Sequence, residues 1–418
     1  MKSYIVFLLI AIISNSLFSC VPKEDMLVGP VTANIRELAI KEQQLSDANT
    51  RFALKLFEQI IKDNAGKNLF ISPYSIHQAL SMTMNGNEGA VLEQFQNLLE
   101  VEHLTLEEAN QAARDLTAFL LQLDPKVKLA IANAIWYREG YQVQPPLRQT
   151  AQEYYKAEIA SLDMLNPNSV NIINNWIAKQ TNNLIKDMLD HIPANAVMYL
   201  VNAIYFKGDW TYNFPRANTK KEKFFPKAGQ EVVVDMMDLG EPAAFKVFNT
   251  ADYGYIEIPY SSGQFTMGIL YGENGNTEAL AEKLTMENLL QWREQAREGN
   301  LILKMPKFKF SHKIPNMADD LMALGLVQPF GFHPDNFTKL FSNPTEQLKI
   351  SRVIHEALIE VDEKGTEAAA ATIVEVIERV NLPPSTPPTL VLDKPFVFFI
   401  QEKHSGAILF MGKLENPL

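Results

Sequence analysis

The sequence predicts an α+β fold, and three observations carry that prediction. Apolar residues recur at helical spacing through most of the first half, strand-like apolar runs gather in the second half, and no Gly/Ser-rich or charge-rich linker divides the 418 residues. One large body therefore fits better than two domains. With 47% hydrophobic residues and a single cysteine, the chain can bury an ample core without any disulfide of its own.

Taken in order, the first packed helix is read at 46–61, where Phe52, Leu56 and Ile60 share a face. Further helical spacing covers 91–99, 106–123 and 170–189, with strands at 128–136 and 198–206. Later strands are read at 255–259, 265–270, 301–310, 357–361 and 396–400. No fixed-period repeat is present.

The N-terminus reads as a leader. Lys2 precedes an apolar run too short to span a bilayer, and Leu17-Phe18-Ser19-Cys20 is similar to a bacterial lipobox. Residues 1–19 are then a lipoprotein signal peptide, Cys20 is the lipidation site, and 20–45 is a tether ahead of a body at 46–418. Such a protein is exported and held on the outer membrane, at its periplasmic or cell-surface face. Lys23-Glu24-Asp25 is similar to short surface-export tags of some Gram-negative groups. A formal net charge of −11 disfavours nucleic acid as a partner.

The most informative stretch is 363–379. Alternate residues from Thr366 (Ala368, Ala370, Thr372, Val374 and Val376) form one small, uncharged face, while Glu367, Ala369, Ala371, Ile373, Glu375 and Ile377 form a face able to meet water. Four consecutive alanines bury little in a loop, yet fit between close strands. This is the pattern of an insertable strand. Pro383, Pro384, Pro387 and Pro388 lack ladder donors, so the insertable part ends near Arg379.

Glu363, Gly365 and Thr366 followed by Ala368, Ala369, Ala370 and Ala371 resemble the hinge of serpins. Asn68-Leu69-Phe70-Ile71-Ser72-Pro73-Tyr74-Ser75-Ile76, then Leu200-Val201-Asn202-Ala203-Ile204-Tyr205-Phe206-Lys207-Gly208-Asp209-Trp210, extend the resemblance. Leu303-Lys304-Met305-Pro306-Lys307-Phe308, Asp393-Lys394-Pro395-Phe396 and Leu409-Phe410-Met411-Gly412-Lys413 carry it to the C-terminus. The resemblance implies helices packed around a large central sheet, further sheets, and an exposed reactive loop at about 363–393 that inserts after cleavage.

By the same resemblance, Ser72, Ser75, Asn202 and His355 form a buried shutter beneath the sheet, and Trp210 lies at the breach where insertion begins. The family's spacing from Gly365 places the cleaved bond at Arg379-Val380. An arginine there suits the acidic pocket of trypsin-like serine proteases. The loop is longer and richer in proline than the common pattern, which leaves Val376, Ile377, Val380 and Leu382 open to elastase-like enzymes, and cysteine proteases are possible targets too. The alternative function is a non-inhibitory serpin acting as a binding or structural module.

Enzymatic readings fare worse. His355-Glu356-Ala357-Leu358-Ile359 opens like a zinc-protease helix but has Ile359 where the second histidine belongs. No Gly-x-Ser-x-Gly elbow makes Ser72 or Ser75 a nucleophile. The chain is read as a monomer and not an enzyme, with no catalytic residue, cofactor or metal. Glu107, Glu108 and Asp115 against Arg114 disfavour heparin activation at 106–123.

Overall fold

The computed structural model describes residues 32–227, 229–342, 347–366 and 387–418. Its helices are α1 (Ile40–Ile61), α2 (Pro73–Met84), α3 (Gly89–Leu98), α4 (Leu106–Gln122), α5 (Pro145–Tyr155), α6 (Ser169–Gln180), α7 (Thr277–Ala281), α8 (Met286–Gln295) and α9 (Ala318–Ala323). The strands begin with β1 (Leu69–Ile71), β2 (Lys128–Arg138), β3 (Glu158–Leu162), β4 (Met198–Asp209), β5 (Lys220–Lys227), β6 (Gln230–Asp238), β7 (Ala243–Asn249) and β8 (Gly254–Pro259). They continue with β9 (Phe265–Tyr271), β10 (Arg297–Pro306), β11 (Phe308–Ile314), β12 (His355–Val361), β13 (Gly365–Thr366), β14 (Thr389–Val391), β15 (Phe396–Glu402) and β16 (Ile408–Leu414).

Local chemistry sets several boundaries. Thr105 and Glu108 exchange bonds in a capping box that starts α4, the Thr105 N–H donating to Glu108 Oε2 at 2.9 Å. Ser72 caps α2 ahead of Pro73 at the first helical position, where a missing N–H costs nothing. The first helix starts earlier than its apolar spacing suggests, at Ile40, because Glu42 accepts from the Ala39 N–H at 2.6 Å. The segment ahead of it is packed as well. The Asn34 N–H donates to the Leu123 carbonyl at 2.7 Å, and the Arg36 guanidinium lies 5.2 Å over the Phe119 ring. The body thus includes part of what reads as tether.

Two sheets organise the core among the described residues. A ten-stranded sheet runs β1-β16-β15-β9-β8-β7-β10-β6-β5, with β14 beside β10. A six-stranded sheet runs β11-β12-β13-β4-β2-β3. The 301–310 run is divided between them, because the chain leaves β10 at Pro306 and enters β11 at Phe308.

Side chains of the six-stranded sheet alternate between two environments. Ile135, Ile204 and Phe206 turn into the main core, which holds Phe52, Phe70, Met411 and Phe410. Ala134, Trp136 and Val201 turn the other way, onto Ile173 and Ile177 of α6 and Met188 and Leu189 beyond it. Helix α6 is shorter than the 170–189 reading. It stops at Gln180, and Asn182 and Asn183 follow with φ of 51° and 62°, a left-handed conformation that ends a helix.

Candidate functional site

The six-stranded sheet is joined unusually at its middle. Between β12 and β4 the described ladder consists of β13 alone, with Thr366 opposite Val361 on one side and Gly208 on the other, and Gly365 opposite Asp209. Below that short strand, β4 and β12 share no ladder among the described residues. Among the described residues, the seam is filled at its top by β13 alone.

The top is held by residues 362–366. A tight turn joins β12 to β13, in which the Asp362 carboxylate accepts from the Lys364 N–H at 2.9 Å and the Gly365 N–H at 3.3 Å. The Trp210 N–H donates to the Lys364 carbonyl at 2.6 Å, the Phe214 N–H to that of Glu363 at 2.8 Å, and Trp210 Nε1 to that of Asp362 at 3.0 Å. Glu363 is buried and takes bonds from Lys307 Nζ and Thr219 Oγ1, both at 3.0 Å. Burial pushes its carboxyl up, but these bonds and its backbone contact outweigh burial and hold it below the usual range.

Gly365 is required by space. A Cβ there would run into the Gly208 carbonyl oxygen and lie 2.7 Å from Asp209 Cα, so only glycine lets the two backbones approach. Thr366 turns into the core, where its hydroxyl and that of Tyr260 lie 2.6 Å apart. Tyr260 stacks on Trp210 with centroids 4.4 Å apart.

Ser72, Ser75, Asn202 and His355 come together lower down. Ser72 Oγ donates to the Leu409 carbonyl at 2.7 Å, and the Ser72 N–H donates to His355 Nε2 at 3.0 Å. That nitrogen therefore carries no proton. Burial, with His312 nearby, holds the His355 pKa at about 3, so the ring is neutral at ordinary pH. Ser75 Oγ donates to Asn202 Oδ1, and Asn202 Nδ2 donates to Asn133 Oδ1 at 2.7 Å. His355 and Asn202 thus stand on opposite strands flanking the seam, each tied to the first turn of α2.

Two cavities follow the seam. One of about 20 Å³ lies under Thr366, between Ile204 and Phe206 on β4 and Ala357 and Leu358 on β12. The second, about 210 Å³, is lined by Ser75, Asn202 and His355 and continues past Tyr199 and Arg352. The first holds about one water molecule and the second several times that.

Arg379, Val380, Ala368, Ala369, Ala370, Ala371 and Cys20 lie outside the described residues. The faces read at 367–377 also lie outside the described residues. Sequence reasoning missed Asn133, Tyr260 and Thr219. Asn133 had a signal, because it interrupts the apolar run Ala130-Ile131-Ala132 at a position opposite Asn202. Nothing local marks Tyr260 or Thr219.

A family model described as "Serpin (serine protease inhibitor)" matches residues 47–417. The chain belongs to the serpin family. A serpin-like protein of Methanosarcina acetivorans is 31% identical over 99% of this chain and 98% of its own. The leukocyte elastase inhibitor of Bos taurus is 32% identical, covering 90% of this chain and 100% of its own. Among solved structures, the thermophilic serpin tengpin in its native state superposes with a TM-score of 0.80 at 28% identity, over 92% of this serpin and 97% of that chain. The fold is the serpin fold, and many serpins inhibit serine proteases rather than catalyse a reaction.

Proposed function

We propose that this serpin is a suicide-type inhibitor of serine endopeptidases, trypsin-like by preference, cleaved at Arg379-Val380 and trapping its protease as an acyl-enzyme. The observation that carries the reading is β13. Gly365 and Thr366 already stand in the ladder between β12 and β4, and below them that edge of β4 has no ladder partner among the described residues. Cleavage frees the residues that follow to continue the strand. Thr366 to Ile377 extended span about 40 Å, enough to carry an attached protease the length of the sheet. A displacement of about 1 Å in a catalytic site already costs roughly a hundredfold in rate, so deacylation stops.

Small residues favour this over a passive binding role. Ala368 and Ala370 would enter beside Phe206 and Ile204, above a cavity too small for larger side chains. The uncleaved chain then persists kinetically, its sheet short of a strand.

Incubation with trypsin tests the proposal. A covalent complex should survive boiling in detergent, and protein nicked at Arg379 should melt tens of degrees above intact protein. Cleaved serpin beside fully active protease, with an unchanged midpoint, would overturn it. Elastase-like and cysteine proteases belong in the same panel.

We also propose export as a lipoprotein anchored through Cys20 to the outer membrane, at its periplasmic or cell-surface face, on the strength of the lipobox-like leader. Partitioning of the mature protein into detergent tests this, and recovery in the aqueous phase would rule it out.

A further inference from the structure

Four buried donors at the lower end of the seam have no hydrogen-bond partner among the described residues: Trp136 Nε1, Arg138 Nε, Tyr199 Oη and Arg352 Nε. They are not scattered. Trp136 stands directly opposite Tyr199 in the β2–β4 ladder, and Arg138 lies two places along on the same face. Tyr199 and Arg352 both line the larger cavity. Trp136 is 6% exposed, so its N–H has little access to solvent.

The two arginines are only partly engaged. Arg138 Nη2 donates to the Ala194 carbonyl, and Arg352 Nη2 to that of His191 at 2.6 Å. Arg352 Nη1 lies 3.4 Å from Asp190, an exposed carboxylate. What remains is a group of donors on two guanidiniums, an indole and a phenol. Such a set suits an anion.

The register of β13 names the anion. Thr366 faces Gly208 on one side and Val361 on the other, and each residue added after it moves both partners back by one. Continued downward, that pairing would bring Glu375 opposite Tyr199 and Arg352 together. Directly paired residues share a face, so the Glu375 side chain would point where Tyr199 and Trp136 point, under α6. Glu367 would share this face, but its register partner would be Lys207 at the upper end.

We propose that Tyr199, Arg352, Trp136 and Arg138 form a receptor for a carboxylate, which Glu375 occupies when the loop enters the sheet. The inference rests on the insertion mechanism proposed above and adds a reason for completing it. An unpaired carboxylate under a helix would arrest a strand on its way in, and unpaired donors there burden the uncleaved state. Joining them removes both penalties in the last part of the stroke, where trapping is decided.

The test uses the full chain with trypsin. Glu375→Gln, Tyr199→Phe and the double variant are compared for the number of serpin molecules consumed per protease trapped, and for the thermal midpoint of the nicked form. Each single variant should raise that number by several-fold and lower the nicked midpoint, with the intact midpoint of Glu375→Gln unchanged. The double variant should be no worse than the worse single one. Additive losses, or an unchanged nicked midpoint in Glu375→Gln, overturn the proposal. A synthetic peptide of residues 366–379 added to intact serpin gives a measurement that does not need trapping. The parent peptide should bind about tenfold more tightly than the same peptide with Glu375→Gln, and equal affinity overturns the receptor. A serpin that binds the parent peptide selectively yet never traps trypsin would refute the inhibitory mechanism while leaving the receptor standing.

Discussion

At the upper end of the seam the carbonyls of Asp362, Glu363 and Lys364 all accept from β4's continuation, through Trp210 and Phe214, and Glu363 has two side-chain partners besides. At the lower end a cavity of about 210 Å³ separates the strands, and Tyr199 and Arg352 present donors without partners among the described residues. On the proposed mechanism, the contrast puts the well-bonded hinge where insertion would start and the unmet groups where it would end.

The largest effect should come from filling the upper end. Gly365→Ala forces a methyl against the Gly208 carbonyl, a backbone atom that cannot swing aside. We expect it to cost about 3 kcal/mol through expulsion of β13 and to turn inhibitor into substrate. Calorimetry with gel analysis of trypsin digests checks this, and retention of both midpoint and trapping would show that the hinge pairing is dispensable.

Acid should act on the lower end. His355 has its pKa held at about 3, well under the ordinary histidine value, so between those two values the unfolded chain binds the proton that the folded chain refuses. Stability therefore rises with pH across that window and falls as pH drops. From pH 7 to 5 the loss should be on the order of 2 kcal/mol. His77, held at about 4 by burial in α2, adds to the same slope. Midpoints at several pH values for the parent and His355→Gln separate the two contributions, and an identical slope in both would remove His355 from the account.

Tyr260→Phe should be the mildest. It deletes the hydroxyl shared with Thr366 but keeps the ring on Trp210, costing about 1 kcal/mol in the uncleaved form. A loss as large as that of Gly365→Ala would mean that the hydroxyl pair, rather than the backbone approach, positions β13.

The fold class was legible because apolar spacing is local, and β4 was visible as an apolar run broken between Met198 and Phe206 only by Asn202. The start of α1 was not, since Glu42 rather than an apolar residue sets it. The division of 301–310 between two sheets had an unread signal, because apolar residues keep odd positions through Met305 and even ones from Phe308, with Pro306 between. At the site, likeness singled out Glu363, Gly365 and Thr366, which the structure places in the turn and strand beside β4. Tyr260 could not be read, because its contact with Thr366 joins positions 106 residues apart. The orphaned donors were likewise out of reach. Trp136, Tyr199 and Arg352 become a group only once the registers of the seam are known.

The stacking of Trp210 on Tyr260 also gives the molecule an optical property. The chain has four tryptophans, and two of them stand at opposite ends of the seam. Trp210 is 2% exposed, lies against a tyrosine ring and binds the Asp362 carbonyl, so its emission reports whether the hinge is seated. Trp136 lies under α6 beside Tyr199, where an arriving carboxylate would alter the field across the indole. Replacing one or the other with phenylalanine divides the fluorescence change after cleavage into an early and a late signal. The proposed passage of a strand through this sheet would then be timed at both ends by residues the protein already carries.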